Sequence, residues 1–346
     1  MNIVLGLIAV FMVVWVLIIG EVIILPFMIA IFFSFLLDPI VEVLVKWKIP
    51  VGIAVTLTLL LALVFLYLMG LLVYASVQSF VGQFPLYQGR LLNWVSQVTK
   101  LIEDFFGKTL QLKDYRTLDW FGWLKNISIA KGVLNSVGTF LTFVLRILIV
   151  IIFVAYLLTG KRNINTKIRD AFPSSQADRL IKIIDTITNQ VQKYLGVKVI
   201  ISLLTGVISI IIFYSFGLDF AIFWGFLIFL FNFIPNIGSA VASVLPALFS
   251  LLQYGKISIA FWLLIVLTIL QLAMGNFVEP RLMGRSLNLS PLFVILSLIF
   301  WGYIWGIAGL ILAVPILGTL TIVLENIDSL KFISVFIRGK RKEVKS

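Results

Sequence analysis

Two apolar runs of this chain, residues 220–252 and 291–324, outlast the roughly 20 helical residues that cross a bilayer core, and both are interrupted part-way. The first breaks at Asn232-Phe233-Ile234-Pro235-Asn236-Ile237-Gly238-Ser239, the second at the glycine-bearing stretch FWGYIWGIAG and at Pro315. A backbone amide left unpaired at membrane depth costs several kcal/mol unless protein or water shelters it. Each run therefore reads as two arms, either a re-entrant hairpin around a sheltered break or two crossings joined by a turn. Broken helices near the bilayer midplane are where transporters hold their substrates.

Composition places the rest. Hydrophobic residues make up 61% of the 346 and charged residues 12%, far from a soluble balance. Further apolar runs occupy residues 3–19, 22–45, 51–77, 138–159, 197–217 and 257–275. The expectation is an all-α polytopic membrane protein with about eight transmembrane segments, two of them broken or re-entrant hairpins. The first run reads as a retained span, because another apolar run follows it at once. The chain divides into N-terminal transmembrane helices (1–77), an amphipathic arm (78–137), a transmembrane helix (138–160), an amphipathic helix (161–196), a core with both broken hairpins (197–324) and a basic tail (325–346). In the arm, Leu91, Val95, Val98, Ile102 and Phe105 repeat at helical spacing, and Trp120 and Trp123 suit an interface.

The net charge of +12 sits beside the spans rather than in a patch for nucleic acid. Lys46, Lys48, the basic loop with Lys161, Arg162, Lys167 and Arg169, then Arg281, Arg285 and the tail fall on one side if clear runs cross once and broken runs an even number of times. The positive-inside rule makes that side cytoplasmic, with both termini, and puts the arm outside. Cysteine and histidine are absent, which removes disulfides, thiolate metal sites and imidazole proton relays. No phosphate-binding loop, serine elbow or metal-binding motif occurs, so no enzyme activity, metal or cofactor is expected.

Candidate chemistry rests on few residues. Arg146, inside LTFVLRILIVIIFVAYLL, either snorkels to the interface or meets a partner or cavity. Asp38 and Glu42 lie four apart, with Lys46 a further four on; Glu42 suits a pair with Lys46, and Asp38 a proton or cation relay. Gln271 and Asn276 can hydrogen-bond a polar ligand. Glu279 can bind a cation, relay a proton or pair with Arg281 or Arg285.

A series of motifs carries a resemblance. Asn232-Phe233-Ile234-Pro235 with Ile237-Gly238, then Gln271, Asn276, Pro280, Gly284, Pro291, Gly302, Gly306, Gly309 and Ala313-Val314-Pro315 resemble, in order and spacing, the autoinducer-2 exporter family, also called PerM-like permeases. Upstream, Asp38-Pro39 and Phe172-Pro173 fit the same layout. The resemblance implies a secondary transporter of the bacterial cytoplasmic membrane, exporting a small polar solute or signalling molecule such as autoinducer-2. It also implies a homo-oligomer, plausibly a pentamer, with H⁺ or Na⁺ as possible coupling ion. On that reading Asn232, Pro235, Asn236, Gly238, Ser239, Gln271, Asn276 and Glu279 form the substrate site, Asp38, Glu279 and Arg146 are ion or proton relays, and Gly302, Gly306 and Gly309 let the second hairpin close up. Asn236 and Ser239 stand where the family often has Tyr and Pro, which gives the break more amide and hydroxyl character. The alternatives are an Na⁺(Li⁺)/H⁺ antiporter and a non-transporting membrane scaffold that binds partners through arm and tail.

Overall fold

The computed structural model describes residues 2–106, 137–235, 237–283, 287, 289–327 and 330–339, and among them it is almost wholly helical. Six helices are long and apolar enough to cross a membrane: Glu21–Lys46, Val51–Phe80, Ser174–Ser215, Ile237–Tyr254, Ile257–Met283 and Pro291–Glu325. A bent pair, Val144–Gly160 and Ile164–Ala171, adds a seventh. The surface is apolar: Leu60, Leu61, Val64, Phe65 and Leu68 are exposed, whereas Ala54, Val55 and Thr58 on the same helix are buried. That inversion suits a lipid solvent, in which only the helix-facing stripe needs small or polar side chains.

The first helices form a hairpin, α1 (Asn2–Ile19) and α2 (Glu21–Lys46), turning at Gly20. The third, α3 (Val51–Phe106), runs straight through position 77, so span and arm share one helix and the expected boundary is not a break. Its backbone is helical through Leu91 to Phe105, while Trp120 and Trp123 lie outside the described residues. Helix α4 (Val137–Ala171) and helix α5 (Ser174–Ser215) likewise each join a span to the amphipathic stretch beside it, separated by Phe172-Pro173.

The first broken run is a helical hairpin of one short and one longer arm. Helix α6 (Ala221–Phe231) has 11 residues, about 16 Å by helical rise, too short to cross. The chain turns at 232–235 and returns as α7 (Ile237–Tyr254). Both ends of the hairpin meet again at its base, where Gln253 Nε2 donates to the Gly217 carbonyl at 2.9 Å and Tyr254 Oη to the Phe216 carbonyl at 2.9 Å. At the tip the arms touch so closely that a Cβ on Gly238 would stand 1.7 Å from the Phe231 carbonyl oxygen. Only glycine fits there.

Helix α8 (Ile257–Ala273), a π-helical turn (Met274–Val278) and the short α9 (Glu279–Met283) then carry the chain across to the other face. There the second broken run, α10 (Pro291–Glu325), folds back on itself. Trp305 (φ −125°, ψ 15°) and Gly306 (φ 58°, ψ −137°) leave helical geometry, and Gly306 adopts a conformation that side chains resist. The arms are antiparallel about that point: Ser297 Oγ donates to the Ala313 carbonyl at 2.9 Å, and a Cβ on Gly309 would stand 1.9 Å from the Trp301 carbonyl oxygen. The base is closed by Arg338 against Glu325 and by the Ser290 amide on the Ile337 carbonyl at 2.8 Å, from α11 (Lys331–Ile337). A membrane-length rod, Ile257–Met283, separates the two bases. The middles of the hairpins meet: Ile234, from the first tip, packs against Leu298 and Ala313 of the second hairpin.

Polar clusters cap the two ends. At the base of the first hairpin Tyr87, on the α3 extension, donates to Asp219 Oδ2 at 2.8 Å, and Arg90 donates to the Gln253 carbonyl. Burial first, then the bond to Asp219 and its charge, push the Tyr87 hydroxyl well above the usual tyrosine value, against a smaller opposite effect of Arg90. At the basic end Asp38 is buried between α2, α4 and α5, paired with Lys161 and accepting from Gln192 Nε2 at 2.6 Å.

Candidate functional site

A cavity of about 490 Å³ lies between the first hairpin, α5, α8 and the π-helical turn. Among the residues expected to form a substrate site, Asn232, Pro235, Ser239, Gln271, Asn276 and Glu279 all line it. Gly238 is buried behind it in the hairpin crossing. Asn236 lies outside the described residues, as do Gly284 and Arg285.

Local sequence explains the arrangement. Helix α6 ends at Asn232, whose backbone amide still bonds to Ile228 at 3.0 Å, and Pro235, which has no amide hydrogen, closes the turn. The Asn232 side chain is buried and donates from Nδ2 to Ser202 Oγ of α5 at 3.2 Å. Across the cavity, spacings of three and four carry Thr268, Gln271, Leu272, Gly275, Asn276 and Glu279 along one side of α8 and its continuation. The π-helical turn among them inserts a residue into the helix, a device concentrated at functional sites.

The strongest electrostatic feature is a pair the sequence reading missed. Lys198, with a side chain only 4% exposed, places Nζ 2.6 Å from Glu279 Oε1, and both line the cavity. Glu279 therefore pairs with Lys198 across two helices rather than with Arg281 of its own turn. The clue was available: Lys198, Ser202, Thr205 and Ser209 recur at 4, 3, 4 within an apolar run, and all four are buried on the face of α5 toward the first hairpin. Thr205 and Ser209 bond back to the carbonyls of Ile201 and Thr205 at 2.7 Å, so the stripe's hydroxyls are satisfied inside their own helix.

Other expected site residues lie elsewhere. Asp38 is at the basic end, and Glu42 reaches the same Lys161 at 3.4 Å instead of Lys46. Arg146 stands exposed on α4 and does not line the cavity. Gly302 and Gly309 sit in the second hairpin's crossing and Gly306 at its turn. Among the described residues no group of histidine, cysteine and carboxylate side chains could hold a metal ion.

The sequence model of the AI-2E transporter family matches residues 5–329. The chain belongs to that family. It is 32% identical over 88% of its length to a candidate transport protein of Haemophilus influenzae, covering 86% of that protein. A Borreliella burgdorferi protein similarly named for transport is 37% identical over 57% of this chain and 55% of its own length. The AI-2 transport protein TqsA of Escherichia coli is 38% identical over 155 residues, 45% of each chain. Like its relatives, this AI-2E family member is a multi-pass membrane transport protein.

Proposed function

We propose that this AI-2E family member is a secondary transporter that exports a small polar solute across the bacterial cytoplasmic membrane, with the cavity at the first hairpin's tip as its substrate site. One observation carries the reading: an otherwise apolar protein encloses a cavity lined by two asparagines, a glutamine, two serines and a buried ion pair. In lipid such groups are costly unless they face water or solute. Asn232, Gln271 and Asn276 offer both donors and acceptors to hydroxyl or carbonyl groups, Pro235 and Gly238 fix the break, and Ser239 extends its polar rim. Autoinducer-2, named for the Escherichia coli relative, is a small polar solute of the kind this lining favours and is the first to assay.

Export of solute is favoured over Na⁺(Li⁺)/H⁺ exchange because, with no cargo bound, each candidate carboxylate is held by a lysine, Asp38 by Lys161 and Glu279 by Lys198, which leaves neither open to a metal cation. The protein acts by binding and moving its cargo, without covalent chemistry. The basic end, with both termini, faces the cytoplasm, and protomers assemble as a homo-oligomer. Everted vesicles test the central claim: solute uptake that falls in Asn276→Ala with expression intact supports it. Uptake equal to vesicles without the protein, across polyols, furanones and Na⁺, would leave the scaffold reading. A Lys113→Cys thiol labelled only after permeabilisation would reverse the sidedness.

A further inference from the structure

We propose, resting on the assignment of the cavity as the substrate site, that its cargo is an organic anion which replaces Glu279 on Lys198, and that Glu279 takes up one proton as it is displaced. The pair has features a merely structural bridge does not need. A buried ion pair adds little stability over apolar residues of similar volume. This one nevertheless stands in the wall of a polar cavity of about 490 Å³, with Lys198 Nζ 2.6 Å from Glu279 Oε1. Around it lie the amides of Asn232, Gln271 and Asn276, which can accept and donate to hydroxyl or carbonyl groups but cannot neutralise a charge.

Charge balance dictates the rest. The empty site holds one ammonium and one carboxylate and is neutral. An anion that takes the carboxylate's place on the ammonium leaves Glu279 negative and unpaired in the cavity wall. A proton from water then joins that carboxylate, and the site is neutral again with cargo bound. The groups facing Glu279 from packed elements are Lys198 and Tyr194 of α5, and Arg281 lies on its own turn. Tyr194 is neutral and Arg281 exposed, so Lys198 is the cation that cargo competes for. Side-chain entropy favours the exchange as well, since Glu279 retains 22% side-chain exposure and has room to move, whereas Lys198 at 4% does not.

The test uses formate, the smallest carboxylate, with neutral formamide as its isostere, on purified full-length protein carrying Thr268→Cys as a cavity reporter in this cysteine-free chain. Formate is expected to slow labelling of that thiol and formamide not to, with the formate dissociation constant rising about tenfold per pH unit where one proton is taken up. Infrared difference spectra should show a protonated carboxyl band on adding formate, lost in Glu279→Gln. Glu279→Gln should protect more tightly and without pH dependence, and Lys198→Met should lose protection. Equal protection by formate and formamide, protection that survives Lys198→Met, or no protection by formate at all would overturn the anion reading and leave the cavity assignment standing. A thiol at 268 that no water-borne reagent reaches would instead remove the cavity assignment, and this proposal with it.

Discussion

The two hairpins use one device for opposite ends. Each turns back on itself and closes its crossing on a glycine that admits no side chain, Gly238 in the first and Gly309 in the second. The first turn is polar, with buried Asn232 bonded to Ser202 and a cavity lined by amides, hydroxyls and the Lys198–Glu279 pair. The second is dry. Trp301 and Trp305 pack at a tilt of 37° with centroids 4.6 Å apart, and the Trp305 indole donates to the Leu17 carbonyl at 3.3 Å. The cavity of about 300 Å³ beside its returning arm, between Phe32, Val191 and Leu312, is lined by apolar side chains save Thr319. The same backbone solution thus carries a polar-lined cavity in one hairpin and a packed apolar wedge in the other, and the side chains at the turn decide which.

The largest test of that contrast is the ion pair that only the first hairpin's cavity owns. Lys198→Met leaves the half-buried Glu279 without its cation, and losing one partner of a fully buried pair costs about 3–5 kcal/mol, an upper bound for this partly exposed carboxylate. Thermal unfolding in detergent should show this as a fall in midpoint. The double variant Lys198→Met with Glu279→Gln should recover most of it, because no orphan charge remains. A double variant as unstable as the single one would show that packing of the lysine stem, and not charge, holds α5 to α9.

A smaller effect should strike both hairpins alike. A Cβ on Gly238 or Gly309 would collide with backbone carbonyls of Phe231 or Trp301, atoms that cannot swing away. Overpacking of this kind costs roughly 1–3 kcal/mol, more where backbone must move. Gly238→Ala and Gly309→Ala should therefore lower the unfolding midpoint by similar amounts. If one is neutral, its arms are not closely crossed and the likeness between hairpins fails there.

How far the sequence foretold this depends on whether the signal was local. Broken runs are legible because bilayer thickness sets a length that Pro235 and the glycines at 302, 306 and 309 visibly interrupt. The polar side of α8 was legible too, since Gln271 and Asn276 stand out against an apolar background. Pairings across helices were not. Glu279 had Arg281 two residues away and Glu42 had Lys46 four away, yet packing gave them Lys198 and Lys161. Sequence distance says nothing of which helices abut. Helix continuity also escaped: polarity changes near 77 and 196 while the backbone does not, because α3 and α5 run on through both positions without unwinding.

The finest comparison sets two single hydrogen bonds against each other, Asn232 Nδ2 to Ser202 Oγ at 3.2 Å in the first hairpin and Ser297 Oγ to the Ala313 carbonyl at 2.9 Å in the second. Both donors are buried and each bond contributes on the order of 1 kcal/mol. Asn232 also lines the cavity, whereas Ser297 does not. Asn232→Ala should consequently lower stability by about 1 kcal/mol and also reduce solute flux, because the cavity loses a donor and acceptor that cargo can use. Ser297→Ala should lower stability by a similar amount and leave the affinity for solute unchanged, since it loosens only the wedge. The two variants are to be compared for unfolding midpoint and for vesicle transport measured across solute concentrations. Equal loss of affinity in both would mean that the second hairpin is part of the site, and that the dry and wet turns form one functional unit rather than two.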